Sequence, residues 1–246
     1  MRSLLRWAAL VLVAGLALQF FFLARIALMA TIDPQSTTFQ RSEAWRIATQ
    51  KDRLRWRQQW VPYEKISDNL KRAVIASEDG SFTSHEGVDW EALEKAWERN
   101  VKAEEQAARR AGRAQLAPRA VKPPKIVGGS TITQQLAKNI LLSGERTLLR
   151  KGQEFVLAFA LEKMLSKERI LEIYLNSVEW GEGVFGAEAA ARHYYRKGAA
   201  QLSAYEAARL AVMLPRPKYF ERVPNSGYLA SRASTIVARM RDAELP

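Results

Sequence analysis

The chain has 246 residues, 48% of them hydrophobic and 26% charged, with a formal net charge of +12 and no cysteine. That length and apolar content suit one domain with a core plus a short appendage, and exclude a disordered chain. The missing thiols exclude disulfides and thiolate zinc sites, while the basic balance calls for an anionic partner or reflects only a solvated basic surface.

Trp7–Ala24 is a run of eighteen residues with no charge and only Gln19 polar; Arg25 then interrupts before "IALMATI" resumes. A run of about 20 apolar residues crosses a bilayer, and Arg25 near its far end can reach the head groups along its own methylenes. A cleaved signal peptide would need a shorter apolar stretch and an A-x-A site, and Leu28 stands where a small residue should precede Ala30. Residues 1–32 therefore read as a cytoplasmic tail and an uncleaved transmembrane anchor. Arg2 and Arg6 hold the N-terminus in the cytoplasm by the positive-inside rule, with the bulk of the chain on the other side. A tethered basic domain meets anionic membrane lipids first, and no nucleic-acid partner is expected.

Residues 33–60 are polar, mixed in charge and without a clear period, and read as a juxtamembrane connector. The main domain spans 61–246. Ile66, Leu70, Ala73, Val74 and Ser77 recur at helical spacing, with Ser67 a capping residue and Gly80 just past the end. "DWEALEKAWERN" predicts a second helix with Leu93, Ala96, Trp97 and Val101 on one face. Residues 101–126 hold seven Lys or Arg against two Glu. Alanine favours helix early in that stretch and Pro118, Pro123 and Pro124 forbid it late, so it reads as a mobile basic insertion. Thr131-x-x-Gln134 has capping-box form and opens another helix. "RKGQEFVLAFALEKML" is apolar on most sides from Phe155 to Leu161, which predicts a buried central helix. "SKERILEIYLN", with Ile170, Ile173 and Tyr174 inward, and "SAYEAARLAVML" predict two more. No run combines strand length, alternation and turn signals, so the expected class is all-α or mainly helical.

Few chemistries survive inspection. The only histidines are His85 and His193, and G-x-S-x-G, a Walker loop, a dinucleotide fingerprint and Ser-x-x-Lys are all absent. His85-Glu86 lacks the second histidine of a zinc protease. Carboxylates and cations remain. Glu78 falls in the last turn of its helix, where the partial negative charge of the helix end disfavours a carboxylate and raises its pKa. That suits a general base, although position alone is explained at least as well by a surface glutamate at a frayed end. In "GGSTITQQLAKN", Gly128 and Gly129 allow close backbone approach to a ligand, and free N–H groups at the helix start can hold an anion. Gln134 and Lys138 share one helix face, Gln135 and Asn139 the adjacent one. Arg146, Arg150 and Lys151 add cations beside Glu154. A capped helix with solvent-facing cations accounts for this stretch equally well, and Glu154 at the edge of an apolar run should pair with a cation or take part in chemistry.

Taken together the motifs resemble the five signatures of the family 51 glycosyltransferases, in family order over about residues 60 to 220. The first is Glu78-Asp79-x-x-Phe82-x-x-His85-x-Gly87. The second is Gly129-x-Thr131-x-x-Gln134-Gln135-x-x-Lys138-Asn139, and the third Arg150-Lys151-x-x-Glu154. "RILEIYLNSVEWGEGVFGAEAAARHYY" and "ARLAVMLPRPKYF" are similar to the fourth and fifth. The resemblance implies a lysozyme-like helical head lobe with a smaller membrane-proximal jaw lobe. It implies polymerisation of lipid II, or a lipid-linked glycan chain, into β-1,4 strands with inversion, in the inner membrane with a periplasmic catalytic domain. The chain leaves no room after the fifth motif for a transpeptidase module.

By the same resemblance Glu78 is the base that deprotonates the acceptor hydroxyl, and Glu154 supports the leaving group. Lys138, Arg146, Arg150 and Lys151 meet the pyrophosphates. Asp79, Phe82 and His85 shape the first site, and Ser130, Thr131, Gln134, Gln135 and Asn139 join the substrate site. No cofactor is required, and a divalent cation, Mg or Mn, is compatible with the pyrophosphate. Other cell-wall synthesis or division proteins are conceivable partners. Insertion 101–126 is longer than the family pattern leads one to expect. Two rival readings are a lytic glycosidase centred on Glu78, which needs no pyrophosphate cluster, and a non-catalytic basic anchor, which leaves Glu78 and Glu154 unexplained.

Overall fold

The computed structural model describes residues 2–51, 55–114, 128–142 and 147–246. It is mainly helical, as expected. The chain enters through α1 (Arg2–Met29), long and apolar enough to cross a membrane and buried only at Phe22, Ile26 and Met29. Residues expected to form an irregular connector contain α2 (Thr38–Gln50). Thr37 caps α2 by accepting from Gln40 N–H at 3.0 Å, and Gln40 Oε1 accepts from Thr37 N–H at 2.8 Å. This reciprocal cap, with buried Ile47, lets a segment of weak apolar period hold a helix against the domain.

A two-residue strand, β1 (Arg57–Gln58), precedes α3 (Asp68–Glu78). The Ser67 side chain caps α3 as predicted, and Ile66, Leu70, Ala73 and Val74 are buried. Next comes α4 (Trp90–Ala114), which runs well into the stretch read as a mobile insertion. The alanine-rich first half of that stretch is helical; residues 115–126, with all three prolines, lie outside the described residues. The predicted apolar face of α4 is also corrected. Ala96 is buried, but Trp97 is 72% exposed and Val101 38%; the side of α4 that meets Gly129 carries Ala92, Leu93 and Ala96.

The second half is denser. It comprises α5 (Ile132–Leu141), α6 (Leu148–Met164), α7 (Lys167–Ser177), β2 (Glu179–Gly181), β3 (Val184–Phe185) and α8 (Ala187–Tyr195). It ends with α9 (Ala204–Met213), α10 (Pro217–Arg222) and α11 (Gly227–Arg239). The short strands escaped the sequence reading because none is longer than three residues. β1 pairs parallel with β3, Arg57 opposite Val184, and β2 pairs antiparallel with β3. Helix α3 packs against α9 and α11, and α5 against α6 and α7. One core cluster takes Leu70 and Val74 of α3, Leu210 of α9, Ile236 of α11 and Leu136 of α5, together with Phe22, Ile26 and Met29 of the anchor. The expectation that α6 is a buried central helix holds on one side only. Leu157, Ala158 and Leu161 are buried, whereas Val156 and Phe159 are exposed on the opposite stripe.

Glu179 on β2 is buried, and desolvation raises its carboxyl to about 7 from 4.5, against the opposing pull of Lys218. A raised folded pKa means stability that is complete below 4.5 and lost as the pH climbs through about 7. Glu179→Gln should therefore show a smaller fall in Tm across that window than the parent, measured by thermal unfolding in a pH series.

Candidate active site

Glu78 and Asp79 are neighbours in sequence and opposites in environment. Glu78 closes α3 at the edge of a cavity of ≈ 250 Å³, walled by Gly128–Thr131 and by the first turns of α4. Its side chain is only half-buried, yet its carboxyl is set deep enough that desolvation leads the causes raising its pKa. Gln135 Nε2 donates to Glu78 Oε2 at 3.1 Å, and Tyr174 O–H donates to Gln135 Oε1 at 2.9 Å. The amide is thus oriented from behind by a fully buried tyrosine, and among the described residues the carboxylate has no ion-pair partner.

Asp79 turns inward. One oxygen accepts from the backbone N–H of Ile132 at 2.9 Å, the first residue of α5, where a helix dipole favours negative charge. Both oxygens lie within 3.0 Å of His85 Nε2. Gly87 N–H donates to His85 Nδ1 at 3.1 Å, which assigns the ring proton to Nε2, donating to Asp79. Phe82 is fully buried edge-on to His85, with Lys167 Nζ 4.6 Å above its ring. Gly87 has φ +87, and a Cβ there would meet Glu162 Cγ at 2.9 Å and Ala158 O at 3.1 Å, so the motif ends on the one residue that fits.

Thr131 caps α5 together with Gln134, in the predicted box, and its hydroxyl donates to Gly87 O at 2.6 Å. Gln134 is buried and its Oε1 is engaged in this cap. Gly129 borders the cavity and also comes close to α4, where a Cβ would lie 3.1 Å from Ala96 Cβ. Lys138 is exposed and Asn139 half-buried on α5; neither lines the cavity. Glu154 is buried and pairs with Arg150 Nη1 at 3.0 Å and with Lys151 Nζ. Lys151 also reaches Ser130 Oγ at 3.4 Å, which ties the cation cluster of α6 to the cavity wall. Arg146 lies outside the described residues.

Lys95 and Arg99, one turn apart on α4, also line the cavity opposite Glu78 and Asp79, and no motif flagged them. Their spacing of four residues on an otherwise apolar-periodic segment was the available signal. Lys95 pairs with Glu91, and Arg99 is exposed with no ion-pair partner among the described residues. Arg99→Ala should raise KM for an anionic substrate about tenfold, the loss of about 1.4 kcal/mol expected for one charge-assisted hydrogen bond, with Tm unchanged. Steady-state kinetics beside thermal unfolding decide this; an unchanged KM returns Arg99 to the solvent.

An N-terminal helix long and apolar enough to cross a membrane, a mainly helical domain and a cleft with one desolvated carboxylate and a paired cation cluster at its wall suit the class of anchored glycosyl-transfer enzymes. The family model described as Transglycosylase matches residues 45–241. The chain is 51% identical over 249 residues to a biosynthetic peptidoglycan transglycosylase of Burkholderia thailandensis, covering 100% of this chain and 90% of the relative. It is 49% identical to a protein of that description from Herminiimonas arsenicoxydans, over 100% and 99% of the two chains. It is 51% identical to another from Bordetella pertussis, over 96% and 91%. The chain belongs to the transglycosylase family.

Proposed function

We propose that the protein is a peptidoglycan glycosyltransferase that polymerises lipid II into β-1,4 glycan strands. The observation that carries this reading is the Glu78 carboxyl, desolvated, oriented by Gln135 and open to the cavity. The 4-hydroxyl of the acceptor attacks the anomeric carbon of the donor. Glu78 takes the hydroxyl proton, a C–O bond forms on one face, and the bond to the pyrophosphate oxygen breaks on the other with its electron pair leaving on undecaprenyl pyrophosphate. The anomeric centre inverts. A base with a raised pKa is matched to this task, and cations meet the charge that develops on the leaving group. Lys138, Arg150 and Lys151 are the cations proposed for it. Glu154 pairs with Arg150 and Lys151 and so aims them, the role proposed for the third motif. Asp79, Phe82, His85, Thr131 and Gln134 are proposed to build the cleft rather than touch the sugar.

Among the described residues no three His, Asp or Glu side chains converge as a metal cage. A divalent cation is accordingly proposed only as a companion of the substrate pyrophosphate, and no step is routed through it. A single-pass inner-membrane protein with its N-terminus in the cytoplasm is the topology proposed, from Arg2 and Arg6. The deciding experiment incubates the purified full chain with lipid II and resolves the products. Glycan ladders with release of undecaprenyl pyrophosphate are expected; shortened strands from pre-formed glycan, or no change, would overturn the reading.

A further inference from the structure

Gln19 is the one polar side chain in the apolar run of α1, and it does not face lipid. Its Nε2 donates to Gln153 Oε1 at 2.9 Å, while Gln153 Nε2 donates to Gln19 Oε1 at 2.8 Å. The two amides satisfy each other, as a polar group at membrane depth requires. Ten residues on, about 15 Å along a helix, a second fastening occurs. Arg169 of α7 donates from Nε to Met29 O at 2.8 Å and sets Nη2 2.8 Å from Asp33 Oδ1 as an ion pair. Arg169 is itself held by Glu172 at 2.8 Å and lies 5.5 Å from the centre of the Trp60 ring. Between the two fastenings Phe22, Ile26 and Met29 are buried in the main core.

A tether needs none of these contacts. One fastening on a rigid helix leaves the domain free to pivot, whereas two fix height and tilt together. Gln153 directly precedes Glu154, which aims Arg150 and Lys151, so the depth of Gln19 in the bilayer sets the depth of those cations. We propose that α1 is a two-point mount for the active site, and that Gln19, Gln153 and Arg169 are positioning residues that hold the α6 cations level with the pyrophosphate of a membrane-borne substrate. The proposal rests on the function proposed above.

The test uses full-length protein in bilayers and compares Gln19→Leu, Gln153→Leu and the double variant. Two substrates are used: lipid II with its native chain in the bilayer, and a short-chain analogue dispersed in micelles. Each single variant should lower kcat/KM on the bilayer substrate about fivefold, the scale of one interhelical side-chain hydrogen bond. The double variant should fall no further, because the two residues act as one pair. Turnover of the micellar analogue should stay at the parent level, since depth no longer matters. The sequence has no cysteine, so Val156→Cys, exposed on α6, can carry a fluorophore whose quenching by brominated lipids reads depth without any activity. Gln19→Leu should shift that depth. Unchanged depth and unchanged bilayer kinetics overturn the mount, and so does an equal loss on both substrates. A parent that polymerises neither substrate sinks the proposed function alone, and the depth shift still decides the mount.

Discussion

Glu78→Gln should lower lipid II polymerisation by about 10²–10⁴-fold, the usual contribution of one general base, and leave the fold intact. The amide keeps the shape of the carboxyl and still offers an oxygen to Gln135 Nε2. It removes only the capacity to take a proton. The pH behaviour provides an independent check. Burial is the leading cause that raises the Glu78 carboxyl, so the acid limb of the parent kcat/KM profile should lie above the ordinary carboxylate range. The stability consequence has a definite sign. A folded pKa above the unfolded one contributes stability that is complete below the unfolded value and lost as the pH rises through the folded value. Gln carries no such loss, so the variant should match or exceed the parent in Tm at neutral pH. A variant that is less stable there, or that polymerises at the parent rate, contradicts the assignment.

Asp79→Ala should do the reverse, destabilising the domain rather than sparing it. It would strand two buried donors, His85 Nε2–H and the Ile132 N–H at the start of α5. A buried donor left without its acceptor costs about 1–3 kcal/mol, so a loss of about 3 kcal/mol or more is expected. For a domain of this size that corresponds to a fall of about 6–12 °C in Tm. Thermal unfolding of Asp79→Ala beside Glu78→Gln separates the two carboxylates of one motif. An Asp79→Ala protein with parent Tm and no turnover would make Asp79 a participant in the chemistry instead.

The anchor, the helical class, the capped starts of α3 and α5 and the five motifs in their order were all legible in the sequence, because each is written in local chemistry. Ser67 and Thr131 mark helix starts through their own hydroxyls, and the apolar run of α1 needs no partner to be recognised. The sequence by itself also determined that Glu154 lies beside Arg150 and Lys151, and that Glu78 closes a helix just before Gly80. What it left open is which way each carboxylate turns. Glu78 faces the cavity and Asp79 the core because α5 arrives with its N-terminus on one side of that turn, a contact between residues 53 apart. Glu154 had to pair or react; it pairs within its own helix with Arg150 and Lys151, and what tertiary packing added is its burial there. Only the tertiary structure could bring Lys95 and Arg99 to the cleft, expose Trp97, and seat Gln19 on Gln153 across 134 residues of chain. Periodicity says that a helix has faces, but burial and partners depend on which neighbour covers each face, and that is settled by packing over long separations.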